Sequence, residues 1–489
     1  MSQQQEFSVA ILGAGIGGLG MGMRLTQSGE HSFVILEKAA DVGGTWRDNS
    51  YPGASCDVQS HLYWFSFDEQ PDWSRVFAFQ PEIKANIDRL VDRMGLRRHI
   101  RLNTEVTGAH WDEAAGVWRI TVADGSEVRA KSLVTAWGQL NRPTYRDISG
   151  RDTFRGESWH SARWNHDVDL AGKRVACIGN GASAAQLIPE VAEVAGELTV
   201  FQRTPNYVVP REDRPYEQLE RKEFLEQPDK LQASRDGFYW EHEGWMGAMK
   251  QGTDVAAEFT AAARAHLEAQ VPDPALREVL WPDYPIGCKR IIIADTFYPA
   301  LVRDNVALVT DKIEGVEEAG IRTSDGTLHE FDVIVYATGF ETLSFNSALD
   351  ITGRGGVSLN EAWRDGPQAY LGVTVSGFPN MFMLYGPNTN LGHNSIITML
   401  ECQFDYVLQG VEVSREKDAA IDVRADVQRR FNDELQAELR DSSFAGSCNS
   451  WYKTAAGRIT NNWMGSVEDY KAATRRLDVD AYDLVPTGS

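Results

Sequence analysis

No CxxC pair occurs in this chain, and its five cysteines (Cys56, Cys177, Cys288, Cys402 and Cys448) are widely scattered. Such spacing supports neither a zinc site nor a dithiol redox motif, so no metal is expected. Long apolar runs are also missing. No stretch of 18 apolar residues occurs, and the N-terminal MSQQQEFS is polar. Neither a membrane span nor a signal segment is expected, and the reading is a soluble, cytoplasmic protein. Basic residues are few: 48 Lys and Arg against 70 Asp and Glu give a net charge of -22. That balance argues against nucleic acid and anionic membrane as partners.

What is present is glycine in two ordered places. The 489 residues, 42% of them apolar, suffice for two or three domains with a sizeable core. Residues 7–18 read FSVAILGAGIGG. A short apolar run ends in Gly13, Gly15 and Gly18, a helix-compatible stretch runs from Leu19 to Gln27, a second apolar run covers Phe33 to Leu36, and Glu37 follows. Strand, tight turn, helix, strand and acid make a dinucleotide fingerprint. The glycines permit the turn and the approach of a pyrophosphate, and the acid can hold a ribose hydroxyl.

Residues 171–203 repeat the design. Arg174 to Ile178 reads as a strand, Gly179, Gly181 and Ala184 as a GxGxxA turn through Ala182 and Ser183, and Ala185 to Val194 as a helix that Pro189 bends. The ribose position, again 24 residues beyond the first glycine, is Arg203, followed by Thr204. An arginine there suits a 2′-phosphate. Two such turns imply two dinucleotides: FAD at the first, with its acid, and NADPH at the second. The expected fold is α/β, with two Rossmann-like dinucleotide-binding domains and a helical insertion. The FAD domain is expected over 1–147 and 376–489, the NADPH domain over 148–215 and 287–375, and the insertion over 216–286.

Between these landmarks, residues 43–57 (GGTWRDNSYPGASCD) read as an irregular loop beside the first nucleotide site. Residues 81–94 carry one apolar helical face, with Pro81 early and Gly95 as stop. Glu105–Trp111, Val117–Val122 and Glu127–Ala130 read as a meander, and Ser132–Thr135 as a separate return strand before Ala136-Trp137-Gly138. Val333–Tyr336 with Ala337-Thr338-Gly339 mirrors that return in the second domain. Ser395 to Gln409 reads as a helix aimed at the flavin, its N-terminus suited to negative charge.

A more specific signal lies between the two turns. Residues 154–165, FRGESWHSARWN, place Phe154, Gly156, His160 and Trp164 in an FxGxxxHxxxW pattern. This resembles the fingerprint of Baeyer–Villiger monooxygenases, and Gly44, Trp46, Tyr51, Pro52, Gly53 and Asp57 resemble a second pattern of that family. Asn165 replaces the usual Pro or Asp, and Trp137 a usually small residue. The resemblance implies that FAD, reduced by NADPH, reacts with O2 to give a C4a-peroxyflavin, which converts a ketone to an ester or lactone. It implies Arg290 as the active-site arginine and Asp57 as its carboxylate partner. It places Lys289 with Arg203 on the 2′-phosphate, Gly44, Thr45, Trp46, Tyr63 and Met399 around FAD, and Trp451 in a C-terminal loop that folds over NADP. His160 is expected to support the linker between domains, not to transfer protons. The expected partners are a small-molecule ketone and O2, and the expected assembly is a monomer or homodimer. A flavin monooxygenase acting on sulfur or nitrogen, and a non-enzymatic flavin redox sensor, are the alternatives.

Overall fold

A computed structural model describes residues 6–68, 71–145, 148–342, 349–448 and 450–486. The MSQQQ start and the domain boundary expected at residue 147 lie outside the described residues. The chain folds around two sheets.

The first is eight-stranded, and its order along the main path is Asp350–Thr352, Val106–Asp112, Val117–Val122, Glu127–Thr135, Glu6–Leu12, Phe33–Leu36 and Ile100–Arg101. Met381–Met383 also pairs with Glu127–Thr135. The inner strands are parallel, with Leu12 level with Leu36 and Thr135. They read as continuous apolar runs because both faces are covered. On one face, the helix Ile16–Gln27 packs against the long helix Ile396–Lys417.

The second sheet has five parallel strands, in the order Val306–Val309, Glu197–Phe201, Arg174–Ile178, Val333–Tyr336 and Glu157–His160. Its turns copy the first. Gly13 N–H donates to Leu36 O and Ala136 N–H to Leu12 O; Gly179 N–H donates to Phe201 O and Ala337 N–H to Ile178 O. Gly13 (φ +108) and Gly179 (φ +117) lie in the left-handed region. A Cβ on either would come within 2.7 and 2.4 Å of the carbonyl oxygens of Ala136 and Ala337, so only glycine fits both turns.

Helices Gln218–Glu226, Pro228–Gly244, Asp254–Gln270 and Pro274–Leu280 lie between residues 216 and 286. The helix expected over 81–94 spans Gln80–Arg93, with Pro81 in its first turn and Gly95 (φ +63) just past its end. Three expectations need correction. Glu127–Thr135 is one strand, not two, because alternate burial along 127–131 runs unbroken into the buried stretch 132–135. The 43–57 loop contains a one-turn helix, Thr45–Asp48. Asp350–Thr352 joins the first sheet beside Val106–Asp112, so the return to the first unit begins well before residue 376. No described helix is long and apolar enough to cross a membrane.

Candidate active site

Both glycine turns open at the carboxyl ends of their strands, where open α/β sheets hold ligands. They line one continuous cavity of about 1650 Å³. The helices behind the turns, Ile16–Gln27 and Ala182–Val194, have Gly15 and Gly181 as their N-cap residues, so neither has a side-chain cap. Their first N–H groups therefore need an outside acceptor, as a pyrophosphate supplies.

At the first turn, Gly13, Gly15, Glu37, Gly44, Thr45, Trp46 and Tyr63 line the cavity. Glu37 is buried and already engaged. Its carboxylate accepts from Ala14 N–H at 2.8 Å, Ala39 N–H at 2.9 Å and Arg47 Nη1 at 3.2 Å. These bonds fix it at the end of its strand, and the two oxygens retain lone pairs for a ribose hydroxyl. Trp46 Nε1 donates to Tyr63 Oη at 3.3 Å, which sets the two rings edge to face. Gly18 does not line the cavity; its place is against the Gly13 carbonyl, where a Cβ would lie 1.9 Å from the oxygen. Met399 does not line the cavity either. Its side chain is buried in the first unit's core, and Ile396 and Leu400 of the same helix line the cavity instead.

At the second turn, Gly179, Gly181, Ala182 and Ser183 line the cavity, while Ala184 is buried in the second core. Arg203, Thr204 and Lys289 stand together beyond the turn. Lys289 Nζ donates to Thr204 Oγ1 at 2.5 Å and lies 4.6 Å from the centre of the Tyr284 ring. Two cations beside a hydroxyl suit a phosphate monoester.

Asp57 and Arg290 both line this cavity. Arg290 donates from Nε (2.8 Å) and Nη2 (2.6 Å) to the same oxygen, Asp57 Oδ2. Burial alone would push the Asp57 carboxyl up, but the Arg290 guanidinium, with Arg211 behind it, holds it below the usual carboxylate range. Asp57 in turn raises Arg290 above its ordinary value. The pair is thus ionised throughout the neutral range. Both residues also line a second cavity of about 80 Å³, walled by Val58, Trp245, Met249, Phe259 and Ile291.

His160 is fully buried, with Nε2 3.0 Å from Gly339 O and Nδ1 accepting from Ala162 N–H. Burial lowers its pKa to about 4. It is a neutral bracket between Glu157–His160 and the Ala337-Thr338-Gly339 turn. Trp137 lines the cavity beside Gly138. Asn165 accepts from Asp167 N–H at 3.1 Å, a local turn bond.

Several contributors carry no sequence signal. Arg211 and Gln186 hold the 51–56 segment through hydrogen bonds. Cys288 and Cys448, 160 residues apart, form a disulfide with Cα atoms 6.2 Å apart. It ties the segment carrying Lys289 and Arg290 to the one carrying Trp451, which also lines the cavity. The CxxC test misses such a pair because tertiary folding, not local spacing, joins it. No group of three or more His, Cys, Asp or Glu able to hold a metal occurs among the described residues.

Comparison with known proteins places these features. A sequence model described as an NAD(P)-binding Rossmann-like domain matches residues 11–79. A Pseudomonas aeruginosa protein named Baeyer-Villiger monooxygenase is 42% identical over 98% of this chain and 92% of its own length. Among solved structures, OTEMO in complex with FAD and NADP has a TM-score of 0.89 and 30% identity, covering 98% of this chain and 99% of that one. Cyclohexanone monooxygenase from Rhodococcus sp. Phi1, bound to NADP+, has a TM-score of 0.90 and 29% identity over 99% of both chains.

Proposed function

The chain belongs to the Baeyer–Villiger monooxygenase family, and from that premise we propose how its residues divide the work and what they oxygenate. It is an FAD-dependent, NADPH-consuming monooxygenase of the Baeyer–Villiger type. The proposed substrate is a small ketone, converted to an ester or lactone by insertion of one oxygen of O2 beside the carbonyl. When bound, FAD and NADPH supply hydride transfer and the activation of O2.

The unit built on the eight-stranded sheet is assigned to FAD and the five-stranded unit to NADPH. Gly13, Gly15 and Gly18 shape the FAD turn, Glu37 takes the ribose, and Gly44, Thr45, Trp46 and Tyr63 flank the cofactor. The turn from Gly179 to Ala184 takes the NADPH pyrophosphate. Arg203, Thr204 and Lys289 take the 2′-phosphate. Trp451 covers the junction and keeps water out.

Arg290 keeps its proton at any working pH. Its charge stabilises the negative oxygen that develops when a ketone carbonyl is attacked. Asp57 grips Nε and Nη2, which orients the guanidinium plane. Nη1 makes no hydrogen bond among the described residues, so its two N–H groups are left as donors for a substrate oxygen. The apolar wall of the smaller cavity, on the same pair, suits a carbon substituent of the ketone. The observation that carries this reading is the ionised Asp57–Arg290 pair in the wall of a cavity that both turns share.

The test is a panel of linear, cyclic and aromatic ketones with NADPH and ¹⁸O2, with products read by mass. The expected product is an ester or lactone carrying one labelled oxygen. Peroxide alone would favour a redox sensor or oxidase. Sulfoxide from added sulfides, with no ester from any ketone, would favour the sulfur- and nitrogen-oxidising reading.

A further inference from the structure

Asp57 closes a segment whose own unit does not hold it alone. From the first unit, Cys56 N–H donates to Ala78 O at 3.0 Å, and Gln80 N–H to Ala54 O at 2.8 Å. Local bonds add to these, from Ala54 N–H to Tyr51 O at 3.1 Å and from Ser55 Oγ to Gly53 O at 3.1 Å, and further bonds come from the second unit. Gln186, on the helix behind the second glycine turn, accepts from Tyr51 Oη at 2.8 Å and donates from Nε2 to Ser55 O at 2.9 Å. Gly53 packs on that helix so closely that a Cβ would lie 2.5 Å from Gln186 O. Arg211 follows the short strand Val208–Val209. It donates from Nη1 to Ser55 Oγ at 3.1 Å and from Nη2 to Cys56 O at 2.8 Å.

The Cys56 carbonyl shares a rigid peptide plane with the amide nitrogen of Asp57. A donor that fixes that oxygen therefore fixes the start of Asp57. Arg211 is itself well fixed. Its backbone N–H donates to Asp295 Oδ1 at 2.7 Å, and its guanidinium lies 4.8 Å from the centre of the Phe77 ring. Its Nε is buried without a hydrogen-bond partner.

We infer that Arg211 is a positioning residue. It acts through the Ser55–Cys56 backbone to hold Asp57, and through Asp57 to hold Arg290, so that the NADPH-side unit sets the orientation of the active-site arginine. The inference rests on the proposed roles of Asp57 and Arg290. Lysine at 211 would keep the charge but lose the planar fork that reaches two different acceptors.

The experiment compares wild type with Arg211→Ala, Arg211→Lys and Ser55→Ala. Bound FAD, NADPH Kd, the anaerobic rate of flavin reduction and ester formed per NADPH are all measured. Arg211→Ala is expected to keep its FAD and its NADPH Kd, slow reduction about tenfold, the scale of a small misplacement at a reacting centre, and divert NADPH to peroxide. Arg211→Lys should recover only part of both losses, and Ser55→Ala should show a milder form of the same split. Wild-type reduction and coupling in Arg211→Ala would overturn the inference. So would losses that merely track lost FAD while Arg211→Lys and Ser55→Ala behave as wild type. Should Arg211→Ala not fold, those two variants decide alone, and wild-type values in both would overturn it. The reduction rate needs no ketone, so a failure of the substrate assignment, seen as no ester from wild type, is separable from a failure of this one.

Discussion

Removing either cation beside Thr204 should turn an NADPH enzyme toward NADH, and the structure sets the scale of the change. The two nucleotides differ only in the 2′-phosphate. Lys289 is half-buried and held in place by Thr204 Oγ1, whereas Arg203 is exposed on the cavity rim. A hydrogen bond to a charged group contributes about 1.5–3 kcal/mol, or roughly 10- to 150-fold in affinity. Lys289→Ala should fall toward the upper end, because its site is less screened, and Arg203→Ala near about tenfold. The assay is steady-state kcat/KM with NADPH and with NADH on each variant and on the double variant. NADPH should lose, NADH should hold, and the double variant should lose less than the two single losses combined, because in the proposed site both cations would contact one phosphate. Equal losses with the two nucleotides would refute the assignment of these residues to the phosphate.

Three other outcomes are expected. Gly18→Ala puts a methyl 1.9 Å from the Gly13 carbonyl oxygen, so the purified variant should lose the flavin absorbance of the wild type; full FAD content would contradict the turn. Alkylation of denatured protein purified without reductant should label three cysteines, Cys56, Cys177 and Cys402, and all five after dithiol treatment; five before reduction would contradict the Cys288–Cys448 bond. His61, His160 and His242 are buried, and burial lowers each pKa to about 4. The unfolded chain therefore binds more protons below about pH 6.5, and each site should lose about 2 kcal/mol between pH 7 and pH 5, measured by urea unfolding; stability unchanged across that range would refute their neutral burial.

The parts legible in the sequence are those that chemistry places close together along the chain. The glycine turns, Glu37 and Arg203 fall within two local strand–turn–helix–strand units, so spacing alone reveals them. The Asp57–Arg290 contact joins residues 233 positions apart, and only a family resemblance pointed to it. Arg211 and Gln186 reach across some 130 to 160 positions to the 51–56 segment, and neither sits in a motif. Cys288 and Cys448 illustrate the same limit. Met399 shows the converse: the resemblance places the residue beside FAD, and only the fold shows that its side chain packs in the core. Asp350–Thr352 was misassigned because three residues carry too little periodicity to show which sheet they will join.

Arg290 is proposed to supply the positive charge on which ketone oxygenation depends. Anaerobic mixing of Arg290→Ala with NADPH, followed by oxygen and a ketone accepted by the wild type, tests it most directly. Bound FAD, measurable flavin reduction and no ester are expected. Ester formed at the wild-type rate by that variant would contradict it.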